Sequence, residues 1–199
     1  SRILKMNFQT NTHAIGDSAN RMVLDIYGKY LKTANDRRWR IEHAQVVTPS
    51  DRELFSKYSI IPSVQPTHAT SDMHWADDRL CQSRMVGAYA YRSLLELNGW
   101  MPLGTDFPVE EIYPLNTFFA AVYRQNNKYQ PVGGFLLEES LRSKDALLGM
   151  TLWAAKGNKM EDKIGSLEVG KFADYVVLDN DITTEKYMIT TKIIGTYHN

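Results

Sequence analysis

The chain of 199 residues holds a single cysteine, Cys81, so no disulfide can close within it and the fold must rest on packing, with help from a metal. Long apolar runs are also missing. No stretch approaches the roughly 18 residues a membrane helix needs, and no charged-then-apolar leader opens the sequence, so a soluble chain is expected, with the cytoplasm weakly preferred. Charge of one sign is absent as an excess: Lys plus Arg and Asp plus Glu are both 23, the net charge is zero, and a nucleic-acid partner is not expected. There is no low-complexity tract and no internal sequence repeat. Histidine is scarce, at 13, 43, 68, 74 and 198, and no two histidines form a His-x-His pair. The sequence opens on Ser1 and runs almost at once into strand-like residues, the pattern expected of a cut end.

What is present is a strand and helix rhythm. Met6 to His13 reads as a strand bounded by Gly16-Asp17, and Ser18 is placed to cap a helix on which Val23, Leu24, Tyr27, Tyr30 and Leu31 recur at helical spacing up to Asn35. Trp39 to Gln45 reads as a second strand, and Thr48-Pro49-Ser50-Asp51 resembles a capping box opening a helix that ends near Tyr58. A third strand, Ile60 to Gln65, precedes a long polar and aromatic connection, Pro66 to Ser83, and a helix from Arg84 to Leu97. Trp100 to Thr105 reads as a fourth strand ending at Asp106, with helical segments at Leu115 to Arg124 and Lys144 to Lys156. Four βα units imply a parallel sheet, either half of an eight-stranded (β/α)8 TIM-type barrel or a doubly wound open sheet. The character changes after residue 160: turn-rich Gly165 to Lys171 leads to a short strand, Tyr175 to Leu178. The α/β expectation is therefore residues 1–160 as half of a barrel and residues 161–199 as strands of a small β-sandwich.

Chemistry in a parallel barrel gathers at the C-terminal ends of strands, where His13, His43 and Asp106 all fall. Two imidazoles and a carboxylate fit a zinc-type site, in which the carboxylate either completes the shell or takes a proton from activated water. Each taken alone has a plainer reading. A strand-end histidine is usually a hydrogen-bonded structural residue, and an aspartate in a Gly-Thr-Asp turn caps that turn unaided.

The segments His13-Ala14-Ile15-Gly16-Asp17, Arg40 to Gln45, Ser63 to His68, Gly104 to Pro108 and Gly165 to Asp179 together resemble the amidohydrolase superfamily, and within it the YtcJ-like branch. The resemblance runs through nearly the whole chain in order. It implies a metal-dependent hydrolase of non-peptide carbon–nitrogen bonds, amide or cyclic amide, with one or two divalent metals, zinc foremost, and a small-molecule substrate. It further implies that His13 and His43 are metal ligands from the fifth and sixth barrel strands, and that Asp106, from the eighth, is both ligand and general acid–base. The family's His-x-His pair and its Lys or Glu ligand have no counterpart here. The isolated chain is therefore expected to be inactive, with the missing N-terminal half of the barrel as its natural partner, or a second copy in a homodimer.

His68, in the Gln65-Pro66-Thr67-His68 run typical of that resemblance, is expected to face substrate or to support a ligand, with a backbone-bonded loop histidine as the plain alternative. Trp75 and Arg79 are candidate substrate contacts on a loop, also holding Asp72, His74 and Asp78, that would cover the mouth of the site. Asp17 is expected to cap a helix or orient a ligand, and Glu42 to point away from the site. His74 and His198 read as local or exposed residues, and Cys81 lacks a base that would make it a nucleophile. Two other classes fit the same residues: a noncatalytic oligomerising or binding module with an incomplete metal site, and a metallohydrolase acting on another electrophile such as a phosphoester.

Overall fold

In the computed structural model of the chain, which describes residues 2–184 and 190–198, three short strands lie side by side and parallel. They are Asn11–Ala14 (β1), Arg40–His43 (β2) and Ile61–Ser63 (β3), in that order. The register sets His13 opposite Glu42 and Ala14 opposite His43, and Glu42 opposite Ser63. Residues outside the described part, 1, 185–189 and 199, include a stretch of the expected 161–199 unit.

The expected first strand shrinks because Arg2–Lys5 (α1) is helical and Asn7 turns left-handed at φ 59°, so the ladder starts only at Asn11. The expected fourth strand reduces to one parallel bridge between Val64 and Leu103. Its hydrogen bonds are Val64 N–H to the Pro102 carbonyl at 3.1 Å and Gly104 N–H to the Val64 carbonyl at 3.0 Å. Pro102 has no N–H to extend the ladder, which limits this segment to a single rung.

The helix Asp17–Gly28 (α2) buries Asn20, Leu24 and Tyr27, one face at three- and four-residue spacing. Its N-cap is Gly16 rather than Ser18, and Tyr58 packs where a side chain on Gly28 would stand. The capping box at Thr48 does not form: Thr48 makes no side-chain cap before the 3₁₀ turn Pro49–Asp51 and the helix Glu53–Lys57 (α3). Asp51 is taken instead by Arg21, at 2.9 Å. The Pro66 to Ser83 connection, expected to be irregular, is helical: Pro66–Asp72 (α4), Ala76–Leu80 (α5) and Gln82–Met85 (α6). The helix expected over Arg84 to Leu97 breaks, resuming as Tyr91–Asn98 (α7), which ends at Gly99 in the left-handed conformation, φ 78°. Pro114–Tyr123 (α8), Ser143–Met150 (α9) and Leu152–Gly157 (α10) follow, the last two split at Thr151.

Leu24, Ile41, Phe55, Ile60, Val64 and Leu94 are fully buried in one core between sheet and helices, each contributing about 1.5–3 kcal/mol of apolar burial. The C-terminal strands Tyr175–Leu178 (β4) and Ile193–Tyr197 (β5) pair antiparallel, with the Tyr175 and Tyr197 rings stacked at 4.7 Å. Two strands alone are marginal in water. Buried Ile182 ties the stretch between them to the main core.

The segment that delivers Asp106 is seated against α9 at a glycine. Leu103 N–H bonds the Gly149 carbonyl at 3.0 Å, and a Cβ on Gly149 would stand 2.5 Å from Leu103 Cγ. Gly149→Ala is expected to cost about 1–2 kcal/mol, overpacking outweighing the gain in helix propensity. Urea unfolding of the two proteins measures it, and an unchanged or raised midpoint would show that Leu103 is not closely seated there.

Candidate metal centre

Parallel strands end on the same side, so the residues leaving β1, β2, β3 and the Leu103 bridge share one rim. His13 is the penultimate residue of β1 and His43 the last of β2. A register that sets His13 beside Glu42 would, by strict alternation, turn the two histidines to opposite faces. At His43 the backbone leaves the pleat with φ 75°, and Ala44 follows at 43°. The rings meet edge-on, with centroids 4.5 Å apart and planes at 74°. Glu42 gives its carboxylate to Arg40 at 3.1 Å and makes no hydrogen bond to either histidine.

Left-handed residues without a glycine's freedom cost roughly 1–3 kcal/mol each. Asn20 helps hold them. Its buried side-chain amide reaches the carbonyls of Ala14, Ile15, Gly16 and Val46, at 3.0–3.2 Å. Val46 N–H bonds the Ile15 carbonyl at 2.9 Å, so the exits of β1 and β2 are clamped to each other.

The third histidine arrives from β3. Gln65 is the N-cap of α4 and Pro66 its first residue, which places His68 in the first turn, buried, with its ring centroid 5.5 Å from that of His43. The helix is fastened at both ends: Tyr91 donates its hydroxyl to the Gln65 carbonyl at 3.3 Å, and Asp72 accepts from Gln45 at 2.7 Å and from Tyr89 at 2.8 Å. Burial pushes the Asp72 carboxyl up, opposed by the Tyr89 hydrogen bond.

Asp106, itself left-handed at φ 61°, opens a tight turn in which its carbonyl accepts from Val109 N–H at 2.8 Å and Glu110 N–H at 3.3 Å. That turn swings Glu110 back over His68. His68 then stands between two carboxylates, Nε2 at 3.1 Å from Asp106 Oδ2 and Nδ1 at 3.1 Å from Glu110 Oε1. One possible ligand atom each from His43, His68 and Asp106 all lie within 4.8 Å of one another. His13 stays exposed at the edge of this group, its ring on His43.

The donor set fits a divalent cation. Burial, and then the neighbouring His13, lower the pKa of His43, while Asp106 pulls it the other way, so the imidazole is held neutral, the form that binds metal. His43 Nδ1 is buried with no hydrogen-bond partner, and a buried imidazole nitrogen so placed is open to a metal or to a further donor.

The expected substrate contacts fare differently. Trp75 and Arg79 are exposed and line neither of the two cavities beside the rim. The nearer cavity, about 260 Å³, is bordered by polar residues, among them Thr67, Ser71, His74, Glu110, Asn116 and Gln125. His68 faces Asp106 instead of this cavity. Asp17 neither caps α2 nor touches a histidine: it accepts from Ser18 N–H and pairs with Arg84 at 2.8 Å. His198 pairs with Asp174 at 2.9 Å. Sequence reasoning passed over Asn20, Ser71 and Glu110. The four-residue step from Asp106 to Glu110 was the available signal, but it reads as a turn only once φ at Asp106 is known.

The sequence profile described as amidohydrolase family matches residues 4–193. The protein LONG AFTER FAR-RED 3 of Arabidopsis thaliana is 36% identical over 198 residues, covering 97% of this chain and 33% of its own length. YtcJ of Bacillus subtilis (strain 168), provisionally named an amidohydrolase, is 33% identical over 172 residues, 85% of this chain and 32% of its own. The crystal structure of an uncharacterized metal-dependent hydrolase from Pyrococcus horikoshii OT3 superposes with a TM-score of 0.78 at 31% identity, covering 92% of this chain and 36% of that one. The chain thus spans about a third of the length of these relatives.

Asn20→Ala removes the clamp beneath the rim. The expected loss is about 1–3 kcal/mol of stability, with faster hydrogen exchange at the Val46 amide than at core amides. Wild-type stability with unchanged Val46 protection would show that the exits hold themselves.

Proposed function

We propose, starting from the fact that this chain belongs to the amidohydrolase family, that it forms the later part of a metal-dependent hydrolase acting on a non-peptide carbon–nitrogen bond of a small molecule. The observation that carries this is the convergence of His43, His68 and Asp106 ligand atoms within 4.8 Å, with His13 against His43, at the exits of parallel strands. His13, His43 and Asp106 are the residues proposed to hold a divalent ion, zinc by the nature of its donors. When bound, the ion would supply an activated nucleophile from water and polarise the scissile carbonyl.

The rest falls to the chain. The Asp106 carboxylate, partly open to solvent and 3.1 Å from His68 Nε2, takes the proton released by water and delivers it to the leaving nitrogen. The cavity beside Glu110 would receive part of the substrate. Residues 1–160 are proposed as half of a (β/α)8 barrel and residues 161–199 as strands of a β-sandwich. Two features favour that division. β1 has a strand partner on one edge only among the described residues, and Met6, Phe8, Ile15 and Met22 near it are exposed. The remaining barrel strands, or a second copy of the chain, would cover that edge. Among the described residues no helix is long and apolar enough to cross a membrane.

In the full-length protein, His13→Ala and His43→Ala are expected to lower zinc content at least tenfold by elemental analysis. Asp106→Asn is expected to retain most of the metal while hydrolysis of N-acyl and cyclic amides falls by roughly 10²–10⁴-fold. Activity unchanged in all three variants would remove the reading.

A further inference from the structure

His68 has a carboxylate oxygen on each ring nitrogen, and a neutral imidazole can donate to only one of them. The Glu110 side is the better built. Glu110 Oε1 lies 3.1 Å from Nδ1 and also accepts the Ser71 hydroxyl at 2.6 Å, and Ser71 sits one turn beyond His68 on the same helix. Glu110 thus stands at Nδ1 as an acceptor already gathered by Ser71, a built partner for a ring N–H on that side. On the other side Nε2 faces Asp106 Oδ2 at 3.1 Å, and His68, Asp106 and His43 each bring a ligand atom within 4.8 Å of the others, the spacing a shared cation needs.

We propose that His68 is a further residue of the metal centre, its Nε2 sharing a divalent ion with His43 and Asp106, and that Glu110, steadied by Ser71, is the positioning residue that aims it. The proposal rests on the metal-centre reading given above and extends it, since His13, His43 and Asp106 were the residues the family resemblance supplied. Two ligand atoms on one tetrahedral zinc stand roughly 3.3 Å apart, close to the spacing of Nε2 and Oδ2. The partner on the far nitrogen matches as well: metal-bound histidines characteristically donate their second N–H to a carboxylate or carbonyl. Among the three clustered histidines, only His68 has such a carboxylate, while His43 Nδ1 is buried without a partner. Burial of His68 and its place in the first turn of a helix fastened at Gln65 and Asp72 leave the ring little freedom to turn toward the neighbouring cavity.

The test is cobalt(II) binding by the metal-stripped full-length protein, followed by the visible absorption of the bound ion and by chelator competition, with thermal melting to establish that each variant folds. Glu110→Gln is expected to weaken binding by about 10–100-fold, and His68→Gln by at least as much, with a changed cobalt spectrum. Glu110→Gln decides the matter if His68→Gln does not fold, because it keeps an acceptor for Ser71. If both variants bind cobalt with wild-type affinity and spectrum while His43→Gln does not, His68 holds a proton rather than the metal and the proposal is overturned, leaving the metal centre intact. If His43→Gln also binds as wild type, the metal-centre reading fails and this proposal with it.

Discussion

A parallel sheet alternates its side chains strictly, and the register that pairs His13 with Glu42 would part His13 from His43. Everything at the rim depends on the backbone escaping that rule at one residue. The left-handed turn at His43 and Ala44 brings the second histidine beside the first, and the buried amide of Asn20, spanning four carbonyls from the two strand exits, holds the turn in place. The local conformational cost is offset by buried hydrogen bonds directly beneath it. The hydrogen bonds of Asn20 and Val46 thus join the two strand exits directly beneath the clustered side chains.

The same device recurs across the rim. Asp106 is left-handed too, and the turn it begins returns Glu110 to His68, so that one conformational choice positions two carboxylates on opposite nitrogens of one ring. Behind them, α4 is tied to β2's exit through Gln45 and Asp72, and to α7 through Tyr91. Movement of any one strand end would therefore be felt by all of the clustered groups. The site is shared among elements far apart in sequence, which is how parallel α/β folds assemble chemistry at a common edge.

Strand ends were legible in the sequence because the short strand-like segments are followed by Gly, Asp or Pro turn residues, and this placed His13, His43 and Asp106 on one rim. The βα rhythm through Lys57 was also legible, and the α/β class with it. The helices of Pro66 to Met85 were not: short, polar and partly exposed, they carry little apolar periodicity and are held by contacts such as Asp17 with Arg84. The fourth strand was overread because Leu103 alone reaches the ladder past Pro102. His68 read as a rim residue of open role, since nothing local in Gln65 to His68 announces that a carboxylate forty-two positions later will face its ring. Long-range partners of that kind are fixed by backbone dihedrals, and those are set by tertiary packing rather than by residue type.

Anomalous scattering at the zinc edge, from crystals of the zinc-loaded full-length protein, would locate the ion relative to the rim residues. A peak is expected at about 2.0–2.2 Å from a His43 ring nitrogen and from an Asp106 carboxylate oxygen. A zinc position away from both residues, or a fully loaded protein with no peak at this rim, would contradict their role as ligands.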